Sequence, residues 1–217
     1  MNIEYKVKRS SRKSVAIKIT EKGEIFVLCP LKFANKKIDE ILQEKSNWIK
    51  STLLKLEEKA ETYKEFYEYN KVMFLGKTYN IERFPNYVRI GHYRYKVNKN
   101  TSIKHILKKW LTEQANSVIL NRLDELSDKY NLVYRSAKII SARKKWGSCD
   151  NLRDININFR LVMLSPECID YVLIHELCHT IYMNHSIKFW REVEKFVPNY
   201  EEIKQIIKQN SFTLELF

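Results

Sequence analysis

Residues 165–185 read S-P-E-C-I-D-Y-V-L-I-H-E-L-C-H-T-I-Y-M-N-H, and this stretch decides the fold around it. Ser165 and Pro166 are typical of a helix start, where a hydroxyl caps the first free N–H groups and proline fits the first turn. Apolar residues then recur at helical spacing, which predicts an amphipathic helix. They are Ile169, Val172, Leu173 and Leu177.

The same helix carries the pattern H-E-x-x-H. His175 and His179 lie one turn apart on one face, so both imidazoles can bind one metal ion. Glu176 reaches the open position, where a carboxylate can take a proton from metal-bound water. His185 completes the shell if the chain turns back after Tyr182. We therefore predict a Zn²⁺ centre with three histidine ligands and Glu176 as the catalytic base.

H-E-x-x-H also occurs by chance in ordinary helices. The distribution of histidines distinguishes this motif from such a chance match. The chain has five histidines, and three of them fall within the eleven positions from His175 to His185. The other two are His92 and His105. The clustering on a capped amphipathic helix favours a metal site.

The cysteines and the N-terminal residues indicate a cytoplasmic location. None of the four cysteines forms a C-x-x-C pair, which is typical of reduced thiols. Cys178 differs in helical direction from both ligands and is interpreted as a packing residue. The first residues are charged and lack an apolar signal region, and no apolar run is long enough to span a bilayer. We expect no membrane association.

The formal net charge of +13 points to an acidic partner, and DNA or RNA is the obvious class. Arg143, Lys144 and Lys145 form the basic cluster nearest the predicted site, and a second cluster spans residues 6–13. Such charge favours non-specific contact rather than sequence recognition. A lysine-rich composition imposed by a biased genome would produce the same excess.

The order of predicted elements indicates an α+β fold with a boundary near residue 100. Residues 1–100 form an N-terminal β-rich subdomain with one helix, and residues 101–217 form the domain that carries the metal motif. The predicted elements are a hairpin in 1–34, a helix at 36–60, strands at 72–82 and 87–97, a helix at 103–130, strands at 137–141 and 155–161, the motif helix, and helices from about 187 and 200.

Several segments in this order resemble the YgjP-like metallopeptidases, which are related to the SprT-like and WLM-type zincins. The segments are W-G-S-C at 146–149, I-N-I-N-F-R-L at 155–161, the H-E-x-x-H motif, N-H-S at 184–186 and F-W at 189–190. The resemblance covers nearly the whole chain and implies a zincin-like catalytic domain, one Zn²⁺ and a protein or peptide substrate. It matches His175, His179 and His185 to the zinc ligands and Glu176 to the base. Relatives act on proteins bound to DNA.

The function indicated is a zinc-dependent metallopeptidase that hydrolyses peptide bonds by Glu-assisted attack of zinc-bound water. Candidates for contact with the substrate or its oxyanion are Tyr182, Arg143 and Asn184. The strand at 155–161 could pair with an extended substrate if its edge is exposed. The alternatives are a zinc-containing nucleic-acid-associated module without proteolysis, and a zinc hydrolase of non-peptide amides.

Three further features stay open between packing and function. Trp146-Gly147-Ser148-Cys149 is interpreted as a loop packed beside the motif helix, although a substrate role fits as well. Asn156 and Asn158 share one face of a strand and could hold either a ligand or an adjacent loop. Phe189 and Trp190 could pack under the third ligand or line the substrate site.

The turn before His185 distinguishes the chain from the metzincins. Those proteins place the third histidine at the same distance but have glycine where this chain has Tyr182. We expect Asn184 to relieve the turn instead, because asparagine tolerates the left-handed region.

Overall fold

The computed structural model describes residues 4–20, 23–98 and 100–217. Its contacts divide the chain into two compact units, Met1–Lys64 and Glu65–Phe217. Both units combine strands with helices, so the predicted α+β class is confirmed. The strands between residues 71 and 96 belong to the second unit, whereas the sequence placed them before a boundary near residue 100.

The first unit is a three-stranded sheet with helices. Its strands β1 (Lys6–Ser10), β2 (Ala16–Ile19) and β3 (Ile25–Pro30) lie in the order β1-β3-β2. β2 and β3 form the predicted hairpin, although residues 21 and 22 of its turn lie outside the described residues. β1 adds in parallel on the other side of β3. The predicted helix at 36–60 is interrupted at Lys45 into α1 (Asn35–Glu44) and α2 (Ser46–Thr62).

The core of this unit follows from strand alternation, since every second side chain of β3 points to one face. Alternate residues of β3 and the apolar face of the helices are buried together. They are Ile25, Val27, Cys29, Ile38, Leu42 and Ile49.

The second unit begins within the short helix α3 (Lys64–Tyr67), which an antiparallel four-stranded meander follows. The strands are β4 (Lys71–Phe74), β5 (Lys77–Arg83), β6 (Tyr87–Ile90) and β7 (Tyr93–Lys96). Two long strands were predicted over this region. Left-handed residues at Leu75, Gly76 and Gly91 turn the chain and divide it into four short strands.

The long helix α4 (Ile103–Tyr130) coincides with its prediction and ends at Asn131, which is left-handed with φ of 54°. It precedes a second sheet of β8 (Ser136–Ile140), β9 (Gly147–Cys149) and β10 (Asp154–Asn158), in the order β8-β10-β9. A buried 3₁₀ helix, Phe159–Met163, follows β10.

The position of β10 corrects one prediction. The strand expected at 155–161 to offer an exposed edge is the central strand, paired in parallel with β8 and antiparallel with β9. Its backbone groups are used on both sides, and the chain leaves the sheet after Asn158. The prediction that an extended substrate pairs with this strand is therefore wrong. The W-G-S-C segment supplies β9, an edge strand that was not predicted.

Three helices complete the unit: α5 (Pro166–Cys178), α6 (Ile187–Phe196) and α7 (Tyr200–Gln209). Ser165 caps α5 by accepting from the backbone N–H of Cys168, and Ser186 caps α6 by accepting from that of Phe189. The predicted helix starts are confirmed. α5 packs against α4, β9, α6 and α7, so the motif helix lies in the centre of the unit.

The turn between β4 and β5 fixes the beginning of α5. The Leu75 N–H donates to the Val162 carbonyl at 2.8 Å, and the Gly76 N–H donates to the Met163 carbonyl at 3.2 Å. A Cβ on Gly76 would lie 2.9 Å from Cα of Ser165. This close approach needs glycine, and it ties the first sheet of the unit to the cap of the motif helix.

The loop between β8 and β9 is held by Asn158. Its side-chain amide donates to the carbonyls of Ala142 at 2.7 Å and Lys145 at 2.9 Å. The buried Arg160 guanidinium also donates to Ala142, at 3.3 Å, and to the Leu216 carbonyl at 2.6 Å. The loop-holding interpretation of Asn158 is confirmed.

None of the helices in the described ranges combines the length and apolar character that crossing a bilayer requires.

Candidate metal centre

Three imidazoles converge at the C-terminal end of α5. His175 lies in the last turn of the helix, His179 is its C-terminal cap, and His185 returns from the following turn. Their candidate ligand nitrogens lie within 4.8 Å of one another, and Nε2 of His175 is 3.0 Å from Nε2 of His185. Nitrogens bound to one tetrahedral zinc at 2.0–2.1 Å are about 3.3 Å apart. The arrangement fits a single small cation.

One backbone contact orients the second imidazole. Nδ1 of His179 lies 2.9 Å from the carbonyl oxygen of Tyr182, which can only accept, so Nδ1 carries the proton. Nε2 of His179 then keeps its lone pair for a metal, as the outer contacts of metal-binding histidines usually ensure.

Phe189 supports all three imidazoles. Its ring stacks on His179 with centroids 4.4 Å apart and meets His175 and His185 edge-on at 4.9 and 4.8 Å. The side chain is fully buried. Trp190 stacks on His185 with ring centroids 5.5 Å apart. Packing beneath the ligands is therefore confirmed for Phe189.

Burial keeps the imidazoles of His175 and His179 neutral. Burial, followed by the neighbouring His179, His185 and Lys204, lowers the pKa of His175 to about 3. Burial also lowers the pKa of His179. A bound cation requires neutral imidazoles with free lone pairs.

Glu176 lies beside this cluster and is 6% exposed. Burial raises the pKa of its carboxyl to about 7, while the nearby Lys145 opposes that rise. Within the described residues, its buried Oε2 has no hydrogen-bond partner. A buried polar atom left unpaired is costly, so this oxygen fits a group that receives a partner from bound ligand or water.

Gly147 explains the position of the W-G-S-C segment. A Cβ on Gly147 would lie 2.5 Å from Oε1 and 2.7 Å from Cγ of Glu176. Only glycine lets β9 run against this carboxyl. Cys149, on the same strand, has its thiol pKa raised to about 11 by burial and then by Glu176, so it stays protonated. The packing interpretation of the segment is thus supported, with Gly147 as the residue in contact.

The three residues predicted to contact the oxyanion differ in exposure. Tyr182 is half-buried and is tied to the site through its backbone oxygen. Asn184 and Arg143 are exposed. Left-handed non-glycine residues in the described ranges are Tyr69, Leu75, Asn131, Arg153 and Phe217, so the expected left-handed Asn184 is wrong. The turn is instead closed by backbone bonds, from Tyr182 to Cys178 and from Ser186 to Asn184.

The basic cluster Arg143, Lys144 and Lys145 is exposed on the loop before β9. Within this cluster, Lys145 opposes the rise in the pKa of the Glu176 carboxyl. Contact of this cluster with nucleic acid stays a prediction.

Residues 13–210 match the family described as YgjP-like, metallopeptidase domain. The chain belongs to the YgjP-like metallopeptidase family. No curated protein matches the chain at a significant level. Among solved structures, the chain is similar to the crystal structure of the metallopeptidase zymogen of Pyrococcus abyssi abylysin. That similarity has 26% identity and a TM-score of 0.40, and it covers 43% of this chain and 94% of the other.

Sequence reasoning missed part of this site. The W-G-S-C segment was noticed, but nothing in its letters indicates that Gly147 contacts Glu176, because that contact depends on how β9 docks on α5. Lys204 and Ile207 of α7 also lie beside His175 and Glu176. Helical periodicity indicates which face of α7 is buried, but it does not indicate which residues that face contacts.

Proposed function

We propose that the chain is a zinc-dependent peptidase in which His175, His179 and His185 hold the metal and Glu176 is the general base. The observation that carries the proposal is the convergence of three imidazoles beside a buried carboxyl with an unpaired oxygen. This residue set matches the mechanism of H-E-x-x-H sites.

The donor set supports zinc. Imidazole nitrogens suit Zn²⁺, and catalytic zinc sites use three protein ligands, whereas structural sites use four. Within the described residues, no cysteine or carboxylate joins the three histidines as a fourth ligand. When bound, the metal supplies a Lewis acid and a water of lowered pKa at the open position.

The side chains around the metal have separate tasks. Glu176 accepts a proton from the attacking water and later delivers it to the leaving amine. Gly147 leaves room for that carboxyl, and Phe189 holds the imidazoles in place. Tyr182, Arg143 and Asn184 stay candidates for contact with the substrate oxyanion. β9 is the sheet edge nearest to Glu176, so it is the strand with which an extended substrate would pair.

The alternative, a nucleic-acid-associated zinc module without proteolysis, explains the charge of +13 but not the site. A metal that only stabilises the fold needs no buried carboxyl with a free oxygen beside it. The observed geometry therefore favours hydrolysis.

The test is cleavage of an unfolded protein substrate by protein purified without added metal. We expect cleavage that a chelator abolishes and that one equivalent of Zn²⁺ restores. Parallel reactions with and without duplex DNA measure whether nucleic acid adds to the rate. Cleavage that persists unchanged after complete removal of metal would contradict the proposal.

Gly147→Ala should lower hydrolysis by about tenfold to a hundredfold, because the added methyl group displaces Glu176 and small misplacements of reacting groups are costly. Metal content should stay unchanged, since no ligand is touched. The measurement is kcat/KM together with metal analysis. Ser148→Ala, one residue further along β9, is the matched control and should keep its activity. Equal activity in both variants would show that the Gly147 contact is unimportant.

A further inference from the structure

A pocket of about 350 Å³ opens beside the metal centre within the second unit. It lies between α5, β9 and α7. Its lining includes His175 and Glu176 at one end, and Lys204, Lys208 and Ser211 on the side of α7 and the residues that follow it.

The remaining walls of the pocket are largely apolar. Trp146, Tyr171, Val172 and Ile207 form them. Its volume is near the lower end of the ~300–1,000 Å³ found for ligand sites. A space of this size with such walls fits one large apolar side chain rather than a long segment of chain.

The location of the pocket connects it to the reaction. His175 and Glu176 line it directly, so a side chain that fills it belongs to a residue next to the bond being cleaved. Binding there positions the peptide for the reaction, which is how side-chain pockets set specificity in kcat/KM.

The α7 side of the pocket is positively charged. Lys204 and Lys208 lie one turn apart and both line the pocket. Nζ of Lys204 is bonded to Glu201 at 2.9 Å and lies 4.6 Å from the centre of the Trp190 ring. Lys208 is exposed, and the described residues offer it no ion pair. A carboxylate near the pocket would therefore meet an uncompensated charge at Lys208.

We propose that this pocket selects peptides with a large apolar side chain next to the scissile bond and a carboxylate adjoining that residue. The inference rests on the proposed peptidase function and adds to it a class of substrate. The apolar walls supply most of the selectivity, and Lys208 adds a smaller electrostatic preference.

The first experiment measures binding without turnover. The Glu176→Gln variant keeps the shape of the pocket, and fluorescence anisotropy reports its affinity for labelled peptides that differ only by Phe or Ala at one position, each followed by Glu. The Phe peptide should bind at least ~10-fold more tightly, as expected when a side chain fills an apolar pocket. Equal affinities would overturn the inference.

A substitution at the rim tests whether the pocket causes this preference. Ser211→Trp, introduced beside Glu176→Gln, fills the opening from an exposed position and should bring the Phe-to-Ala ratio close to one. Gln209→Trp is the matched control, because residue 209 is also exposed but does not line the pocket. A preference that survives Ser211→Trp unchanged would overturn the assignment.

The charge is tested separately with Lys208→Glu. The preference for Glu over Lys beside the Phe residue should fall by about twofold to fivefold at low salt, the range for exposed ion pairs. Lys104→Glu makes the same change of charge on α4, away from the pocket, and should leave the preference intact. The same response in both variants would show that Lys208 does not determine the preference for Glu.

Turnover by the wild-type protein distinguishes the two proposals. If peptides bind with the Phe preference but none is cleaved, the peptidase proposal fails and the pocket assignment stands. If Phe and Ala peptides are cleaved at equal kcat/KM, the peptidase proposal stands and the pocket assignment fails.

Discussion

The double variant His175→Ala/His179→Ala should contain no metal and show only background hydrolysis. It removes both nitrogens that α5 contributes, and leaves His185 alone on an exposed turn. One imidazole cannot replace the three-nitrogen set that catalytic zinc requires. Elemental analysis of protein purified without added metal should fall from about one ion per chain to almost none.

The other two histidines of the chain supply the control. His92→Ala/His105→Ala removes the same number of imidazoles from exposed positions. It should keep both metal and activity. Full retention of zinc by the His175/His179 double variant would show that the metal is bound elsewhere and would remove the centre proposed here.

Glu176→Gln should keep metal and fold but lose hydrolysis by at least ~100-fold, the lower end for loss of a general base. The amide has the shape of the carboxyl and fits against Gly147, but it cannot accept the proton. Measuring kcat/KM on one peptide, together with metal content and thermal unfolding, separates this loss from loss of the site or of the fold.

Glu194→Gln makes the same chemical change on the exposed side of α6 and should behave as wild type. If Glu176→Gln remained as active as this control, another group would have to accept the proton.

Local signals predicted the helices α4 and α5, and α5 positions two of the three proposed metal ligands. Ser165 and Pro166 marked the start of α5, and the apolar spacing along α4 gave both of its ends. These features depend on residues close together in the sequence, where capping and periodicity act. The histidine spacing then indicated the site itself.

Contacts between distant segments were not predictable in the same way. β1 pairs with β3 in parallel, and β10 became the central strand rather than an edge. Both outcomes depend on which strands meet after folding, and a strand of three to six residues carries little information about its partner. The contact of Gly147 with Glu176 also depends on which distant segments meet after folding. The same is true of the approach of α7 to the pocket.

The tie between Gly76 and the cap of α5 limits how the chain can be divided for expression. A gene fragment that started at residue 101 would discard the donors to Val162 and Met163, and would uncover the side of α4 that Phe74 covers at Trp110. The compact unit that contains the metal motif and its supporting turn begins at residue 65. Contacts in the folded chain therefore decide where this protein can be divided, and a library of truncations should be designed around residue 65.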